Sequence, residues 1–282
     1  MEARDLVAGT TKLISVPEVY LKINEMVDDP KASAMDIGNY ISRDPALTAR
    51  LLKIANSPFY GFPSQISSVS RAITVIGTRG LRDLALAMST ISTFSKLPVE
   101  VIDLNAFWRH SLFCAVTSRL LAKQCNALQT EPFFVAGLMH DIGQLIIMNK
   151  IPEMAIEAHL RAKNTGLLLS NIENEIMGFN HAEVGEALFR KWKLPESTID
   201  SIANHHTPDQ AKDSPLGAAI VHIADSMAKA EEMPYVPEEN LPHINEIAWK
   251  ITGLDKDALA DILEEARAQY KISIDLFLTK AA

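Results

Sequence analysis

The chain has 282 residues, 48% of them hydrophobic, and a mean hydropathy of +0.05. This composition can fill one large hydrophobic core or two smaller ones, and it excludes a disordered chain. The formal net charge is −8. Because the chain has no basic stripe, it is not expected to bind nucleic acid or an anionic membrane surface directly.

The N-terminal segment and the two cysteines indicate the cellular compartment and whether disulfides stabilise the fold. The N-terminal segment has no apolar stretch after a basic start, and no run of about 18 apolar residues occurs. We therefore expect a cytoplasmic protein without a membrane span. Cys114 and Cys125 lie in what is predicted to be one helix, so they cannot form a disulfide framework.

Short helices are predicted along the first third of the chain. Their start signals are Ser15, Ser33 with Asp36, Asp44 followed by Pro45, and Ser67 or Ser68. The apolar residues between these signals follow helical spacing and indicate a bundle of about five helices. Residues 56–63 contain two prolines and three aromatic residues and are predicted to form a loop, pinned to the core or open to a partner.

The pattern breaks near residues 96–100, which divides the chain into residues 1–97 and residues 98–282. The second part is also helical, so the predicted fold is all-α, with a short-helix N-terminal bundle packed on a larger helical subdomain. Its helices are predicted at Leu104–Lys123, Pro132–His140, Ile151–Thr165, Leu168–Met177, His181–Lys191, Ser197–Asn204, Pro215–Ala230, Pro242–Thr252 and Lys256–Phe277.

The adjacent residues His140 and Asp141 form the densest chemical signal. They follow an apolar helix and have glycines on both sides, at Gly137 and Gly143. An imidazole and a carboxylate side by side can reach one cation, and the carboxylate can bridge to a second. In isolation, such a pair more often has a surface or capping role.

Other histidines and an aspartate strengthen the interpretation of that pair as part of a metal site. His110 lies in an apolar helix, and His181 lies in the first turn of a helix capped by Asn180. His205 and His206 end a helix. Asp225 lies in a stretch so apolar that an unpaired carboxylate would be costly to bury. A metal, a group of imidazoles or a helix dipole could each stabilise it, but only a metal also explains the other histidines.

The order of these residues resembles the HD superfamily of metal-dependent phosphohydrolases. Several motifs, in the right order, further resemble the HDOD family, the HD-related output domains of bacterial signalling. These motifs are Val16–Tyr20, Ile41–Leu52, Ala55–Tyr60, Ala72–Gly77, Gly137–Gly143, His181–Gly185 and Trp192–Pro195. The resemblance spans about residues 10–230. It implies an HD-type second subdomain and a role in signal transduction through a protein partner.

The resemblance also extends to the HD-GYP phosphodiesterases, which cleave cyclic di-GMP, but three of their features are absent. Their lysine after the His-Asp motif is replaced by Gln144, and their glutamate one turn before the first histidine is replaced by Ala106. Residues 207–210 stand where those enzymes have a Gly-Tyr-Pro loop. Phosphodiester hydrolysis needs positive charge near the transferring oxygens, which glutamine cannot supply.

The remaining ligands nevertheless suggest a centre for one or two divalent ions. One ion would be held by His110, His140, Asp141 and Asp225, and a second by Asp141, His181, His205 and His206. A carboxylate-bridged pair of this kind suits iron or manganese better than a structural zinc.

Three functional hypotheses follow. The first is a non-catalytic signalling module, in which the HD-like part is a scaffold or a metal-dependent sensor and the protein acts through partners. The alternative is an active metal-dependent phosphohydrolase acting on a nucleotide or cyclic dinucleotide. In the third, the histidines bind a nucleotide or another small anion without metal.

Overall fold

The computed structural model describes residues 1–8, 17–57, 60–95, 103–232 and 244–278. These residues form helices joined by turns, without a strand, which confirms the all-α prediction for the described part of the chain. The helices are α1 (Ala3–Ala8), α2 (Glu18–Asp28), α3 (Ala34–Ile41), α4 (Pro45–Ala55), α5 (Val69–Ile76), α6 (Thr78–Phe94), α7 (Leu104–Gln124), α8 (Glu131–Met139), α9 (Ile142–Lys150), α10 (Pro152–Thr165), α11 (Leu169–Met177), α12 (His181–Lys191), α13 (Glu196–Ala203), α14 (Pro215–Glu232), α15 (Glu246–Thr252) and α16 (Leu259–Phe277).

Helices α2 to α6 form the predicted short-helix bundle, and the start signals act as helix caps. Ser33 and Asp36 form a reciprocal capping box at the start of α3. The side chain of Asp44 accepts a hydrogen bond from the Leu47 amide, and Ser68 caps α5 in the same way. Each cap satisfies backbone amides that the first helical turn leaves unpaired. Ser15 lies outside the described residues.

Helix α7 lies at the centre of the second part, where it packs against α8, α14 and α16. Its close approach to α8 depends on Gly137, because a Cβ there would lie 2.9 Å from the Ala115 Cα and 2.9 Å from the Cys114 carbonyl oxygen. The same crossing brings the buried side chains of His110 and His140 together. Among the described helices, none is both long enough and apolar enough to cross a membrane.

Several boundaries differ from the sequence-based prediction. The structure contains α9, which was not predicted, so Asp141 lies between two consecutive helices rather than before a loop. Helix α15 begins at Glu246, and a 3-10 turn at Lys256–Ala258 precedes α16. Helix α1 packs on α9 and α12 of the second part. The predicted division near residue 98 falls outside the described residues and stays a prediction.

The loop at residues 56–63 is anchored to the protein interior. The rings of Tyr60 and Phe62 stack with centroids 5.7 Å apart. The Tyr60 hydroxyl donates a hydrogen bond to Glu131 of α8, and the guanidinium of Arg119 in α7 lies 5.1 Å from the Tyr60 ring centroid. Core packing therefore explains these two aromatic residues, while Phe59 lies outside the described residues.

Candidate metal centre

The structure brings together all seven residues that the sequence singled out. His110 lies in α7, His140 and Asp141 join α8 to α9, and His181 begins α12. His205 and His206 follow α13, and Asp225 lies in α14. The approach of α9 to α12 requires Gly143, since a Cβ at this position would collide with the His181 carbonyl oxygen. The glycines of the His-Asp motif thus allow the contacts that build the centre.

The first ligand group, which we call the α14 group, consists of His110, His140 and Asp225, whose donor atoms lie within 4.8 Å of one another. Asp225 Oδ1 lies 3.2 Å from His110 Nε2 and 3.5 Å from His140 Nε2. The other carboxylate of the centre, Asp141, approaches this group with Oδ2 at 3.3 Å from His140 Nε2.

The second ligand group, the α12 group, consists of Asp141, His181, His205 and His206 within the same 4.8 Å limit. Asp141 Oδ1 lies 3.0 Å from His181 Nε2 and 3.8 Å from His205 Nε2. His181 Nε2 and His206 Nε2 are 2.8 Å apart. Asp141 therefore directs one carboxylate oxygen toward each group, the arrangement of a bridging ligand.

Three buried atoms of the centre have no hydrogen-bond partner among the described residues: His140 Nε2, Asp141 Oδ1 and His205 Nε2. Their neighbours lie near them but not in hydrogen-bond geometry, and burying unpaired polar atoms is costly. Nitrogen and oxygen ligands about 2.1 Å from one ion would lie about 3.0 to 3.4 Å apart. Four of the carboxylate-to-imidazole spacings, at 3.0 to 3.5 Å, fit that geometry, and two more from Asp141 are longer, at 3.8 and 3.9 Å. The cluster can therefore hold a metal ion.

The outer nitrogens of the histidines are fixed by hydrogen bonds. Nδ1 of His140 lies 2.7 Å from the Gly137 carbonyl oxygen, and Nδ1 of His205 lies 2.6 Å from that of Ile202. Both nitrogens must donate to these carbonyls, which leaves Nε2 as the ring nitrogen available to a metal ion. Such outer contacts orient histidine ligands in metal sites.

The sequence analysis missed three charged residues around the centre. Glu173 of α11 lies 2.5 Å from His181 Nδ1, and Glu232 lies 3.0 Å from His110 Nδ1. Lys229 Nζ lies 2.6 Å from Asp225 Oδ2. Lys229 and Glu232 follow Asp225 by four and seven positions on α14, and this helical spacing could have revealed them. Glu173 has no such signal, because only burial distinguishes it from its neighbour Glu175.

Both carboxylates of the centre are ionised. Burial raises the pKa of Asp141, but the nearby imidazoles of His140 and His181 outweigh it and hold the pKa well below its usual range. Burial also raises the pKa of Asp225, which Lys229 and His110 lower well below the usual value. The centre therefore contains two ionised carboxylates whose charge a bound cation would share with the neighbouring imidazoles.

The histidines of the centre divide into those whose pKa is raised and those whose pKa is lowered. Burial lowers the pKa of His110, but hydrogen bonds to Asp225 and Glu232 raise it to about 9. Burial likewise lowers the pKa of His181, and Glu173 and Asp141 raise it to about 10. For His205, burial and the neighbouring His140 lower the pKa to about 3. Burial lowers the pKa of His140 too, but Asp141 raises it well above its usual value. Without metal, protons on His110, His140 and His181 thus balance the carboxylates, while His205 stays neutral.

A cavity of about 810 Å³ opens beside the centre and is lined in part by His110, Asp141 and Lys229. Ala106 and Gln144 also line it. The positions that carry glutamate and lysine in the phosphodiesterases that the chain resembles therefore face this cavity with a methyl group and a neutral amide. Residues 207–210, which stand where those phosphodiesterases have a Gly-Tyr-Pro loop, include a 3-10 turn at Pro208–Gln210 that packs on α14 and α15.

Comparisons with known proteins agree with the fold. A solved HDOD domain protein of unknown function from Geobacter sulfurreducens superposes with a TM-score of 0.80 and 25% identity, covering 98% of this chain and 97% of that chain. An uncharacterized protein of Treponema pallidum is 25% identical over 235 residues, which are 83% of this chain and 40% of that protein.

Ribonuclease Y of Thermus thermophilus is 32% identical over 111 residues, which are 38% of this chain and 18% of that enzyme. The chain thus spans less than half the length of these two curated relatives. The HDOD domain family matches residues 13–208, which is most of the chain. Asp225, Lys229 and Glu232 lie beyond the matched residues. The chain therefore belongs to the HDOD domain family.

Proposed function

We propose that this chain is a regulatory protein of a signalling pathway, in which a non-catalytic, metal-loaded His/Asp centre stabilises the surface that a protein partner recognises. One observation carries the metal-binding part of this proposal. Seven donor side chains converge in the interior, and three of their buried atoms have no hydrogen-bond partner among the described residues. Membership of the HDOD family supports the regulatory role.

The donor set indicates which ions would bind. It contains five imidazoles and two carboxylates, whereas structural zinc sites favour thiolates and a closed set of four ligands. Asp141 would bridge two ions, with the α14 group on one side and the α12 group on the other. Iron and manganese suit such a carboxylate-bridged pair.

The cavity supports the absence of catalysis. Hydrolysis of a phosphodiester requires groups that stabilise negative charge developing on the phosphoryl oxygens. Gln144 offers no charge at the position of the lysine in the related phosphodiesterases, and Ala106 offers no carboxylate. The centre would therefore hold metal for structural or sensory reasons.

Metal analysis tests this proposal. Protein purified anaerobically and reconstituted with Mn²⁺ is expected to retain about two ions per chain by plasma mass spectrometry, and His140→Ala is expected to lose at least one. His159→Ala is the matched control. His159 lines the same cavity, but its Nδ1 lies 2.9 Å from the Ala155 carbonyl oxygen and it is not part of the cluster. A reconstituted wild-type protein without metal would contradict the proposal.

A second candidate function is a metal-dependent phosphohydrolase, and Lys229 favours it. This lysine lines the cavity and lies beside Asp225, so a positive charge is present near the centre although Gln144 supplies none. The partial similarity to ribonuclease Y, an enzyme named for acting on RNA, points in the same direction. A nucleotide or cyclic dinucleotide would be the substrate.

An activity assay separates the two candidates. Metal-loaded protein would be incubated with bis(p-nitrophenyl) phosphate, a cyclic dinucleotide and a short RNA, beside Asp141→Ala and the His159→Ala control. The regulatory proposal predicts equal background rates for all three proteins. Hydrolysis that Asp141→Ala abolishes and His159→Ala retains would establish the phosphohydrolase instead.

A further inference from the structure

The cavity beside the metal centre has an aromatic wall that the proposed metal site does not need. Phe107 and Phe113 of α7 and Tyr270 of α16 line it. Phe113 and Tyr270 pack edge to face, with ring centroids 5.3 Å apart. These three side chains give the cavity an aromatic wall, and the candidate ligands His110 and Asp141 line the same cavity. Pockets of this size commonly hold small organic molecules.

Two cationic side chains line the same cavity. Arg109 is exposed on α7, where its charge opposes the rise that burial causes in the pKa of the Tyr270 hydroxyl, while Lys229 is half-buried on α14. A guanidinium can bind two oxygens of a phosphate in a planar fork, and an ammonium adds a point charge. The cavity therefore combines an anion-binding edge with an aromatic wall.

Three carboxylates outside the metal centre also line the cavity, and each has a partner. Asp103 caps α7 by accepting the Asn105 and Ala106 amides. Glu231 accepts hydrogen bonds from Arg267, and Glu232 pairs with His110. Without metal, these acids and Asp141 outnumber Arg109, Lys229 and the protonated His110, so the lining disfavours anions. Divalent ions bound at Asp141 and Asp225 would reverse that balance.

We propose that the cavity binds an aromatic organic phosphate after the centre has taken up metal, with the phosphate at Arg109 and Lys229 and the ring against Phe107, Phe113 and Tyr270. This inference rests on the proposed metal binding and adds a ligand class to it. The cavity volume of about 810 Å³ has room for a small organic phosphate.

Lys229 provides the order of binding. Its ammonium lies 2.6 Å from Asp225 Oδ2, while Asp225 Oδ1 faces His110 and His140. A cation bound at Asp225 competes with Lys229 for the same carboxylate charge and weakens their ion pair. The ammonium is then free to turn toward an anion in the cavity. Metal binding thus prepares the phosphate site in two ways, by adding positive charge and by releasing Lys229.

Calorimetric titration with phenylphosphonate tests the proposal, because this probe carries a phenyl ring and a phosphonate that cannot be hydrolysed as an ester. Mn²⁺-loaded protein is expected to bind it at least about tenfold more tightly than protein treated with chelator. Mn²⁺-loaded protein is also expected to prefer phenylphosphonate to inorganic phosphate by about tenfold, because phosphate cannot use the aromatic wall. Equal affinity with and without Mn²⁺, or equal affinity for the two anions, would overturn the proposal.

Two variants locate the site. Arg109→Gln is expected to weaken phenylphosphonate binding at least about tenfold, while Arg43→Gln, the same change at an exposed arginine over the Tyr40 ring, leaves it unchanged. Lys229→Gln is expected to weaken phenylphosphonate but to strengthen Mn²⁺ binding, because a competing cation is gone. Opposite changes in the affinities for phenylphosphonate and Mn²⁺ would indicate that metal binding releases Lys229 from Asp225. Weaker Mn²⁺ binding in Lys229→Gln would refute it.

The Mn²⁺ content of the same preparation separates the two possible failures. If the protein binds Mn²⁺ but not phenylphosphonate, the ligand inference is wrong and the proposed metal centre stands. If the protein binds no Mn²⁺, both are wrong.

Discussion

Two buried polar clusters in this protein make a useful comparison. One is the metal centre. The other, which we call the interface cluster, lies near the contact between α6 and α8. It contains Tyr60, Arg82, Asp83, Arg119 and Glu131. The interface cluster pairs acids with donors. Arg82 binds Asp83 through two nitrogens at 2.8 Å, and the Tyr60 hydroxyl donates to Glu131 at 3.1 Å.

The metal centre differs in that its members do not satisfy one another. Asp141 has imidazoles on both sides, yet its Oδ1 has no hydrogen bond from the described residues, and neither has Nε2 of His140 or His205. A cluster whose carboxylates are paired with donors contributes to stability, whereas one in which ligand atoms converge without hydrogen bonds is prepared for a further cation. Burial alone therefore does not distinguish structural from functional polar residues.

The largest expected effect is on metal binding when Asp141 is removed. Asp141→Ala takes an oxygen ligand from both groups, so we expect bound Mn²⁺ to fall from about two ions per chain to nearly none, an affinity loss beyond the roughly 100-fold typical of outer contacts. His206→Ala, which alters only the α12 group, should retain about one ion. Two ions still bound in Asp141→Ala would remove the reason for regarding Asp141 as a bridge.

The interface cluster should dominate the pH dependence of stability near pH 6. Burial raises the pKa of Asp83 from 3.8 to about 6, although Arg82 opposes it. Since the folded state holds this proton more tightly than the unfolded state, stability is greatest below pH 4 and falls as pH rises through 6, by about 2 to 3 kcal/mol. Urea unfolding of the wild type and Asp83→Asn between pH 4 and 8 measures this contribution.

Asp83→Asn cannot ionise, so this part of the pH dependence should be absent from the variant. Its free energy of unfolding relative to the wild type should therefore become more favourable as pH rises from 4 to 7. A constant difference over that range would show that Asp83 does not titrate near pH 6.

A smaller effect on metal binding is expected from Glu173. Glu173→Gln removes the charge that holds His181 Nδ1, so Mn²⁺ affinity should fall about 10- to 100-fold without loss of the fold. The matched control is Glu175→Gln on the same helix, because Glu175 is exposed and pairs with Arg161. Competition titration with a metal indicator measures both, and equal affinities for the two variants would exclude an outer role for Glu173.

The smallest effect is expected from Tyr60→Phe, which removes one hydrogen bond from the interface cluster. We expect it to lower the free energy of unfolding by about 0.5 to 1.5 kcal/mol and to leave the Mn²⁺ content unchanged. Tyr40→Phe, at a partly exposed tyrosine, should stay within about 0.5 kcal/mol of the wild type. A loss of metal in Tyr60→Phe would show that the interface cluster and the metal centre are coupled.

Much of the fold was predictable because its signals are local. Ser33, Asp44 and Ser68 cap the helices where they were expected to, since a cap depends only on residues three or four positions away. Helix α9 was missed because most of its residues, Ile142–Lys150, are apolar and buried and show only weak helical periodicity. It is formed by burial among its neighbours.

The identity of the candidate ligands was likewise determined by the sequence. The order of histidines and aspartates and the apolar surroundings of Asp225 were enough to single out all seven residues. Only the tertiary structure decided how closely they meet and that Glu173 and Lys229 join them. The physical reason is that ligand distances, unpaired lone pairs and the cavity depend on helix packing between residues more than 100 positions apart, such as His110 and Asp225, and local sequence does not encode such packing.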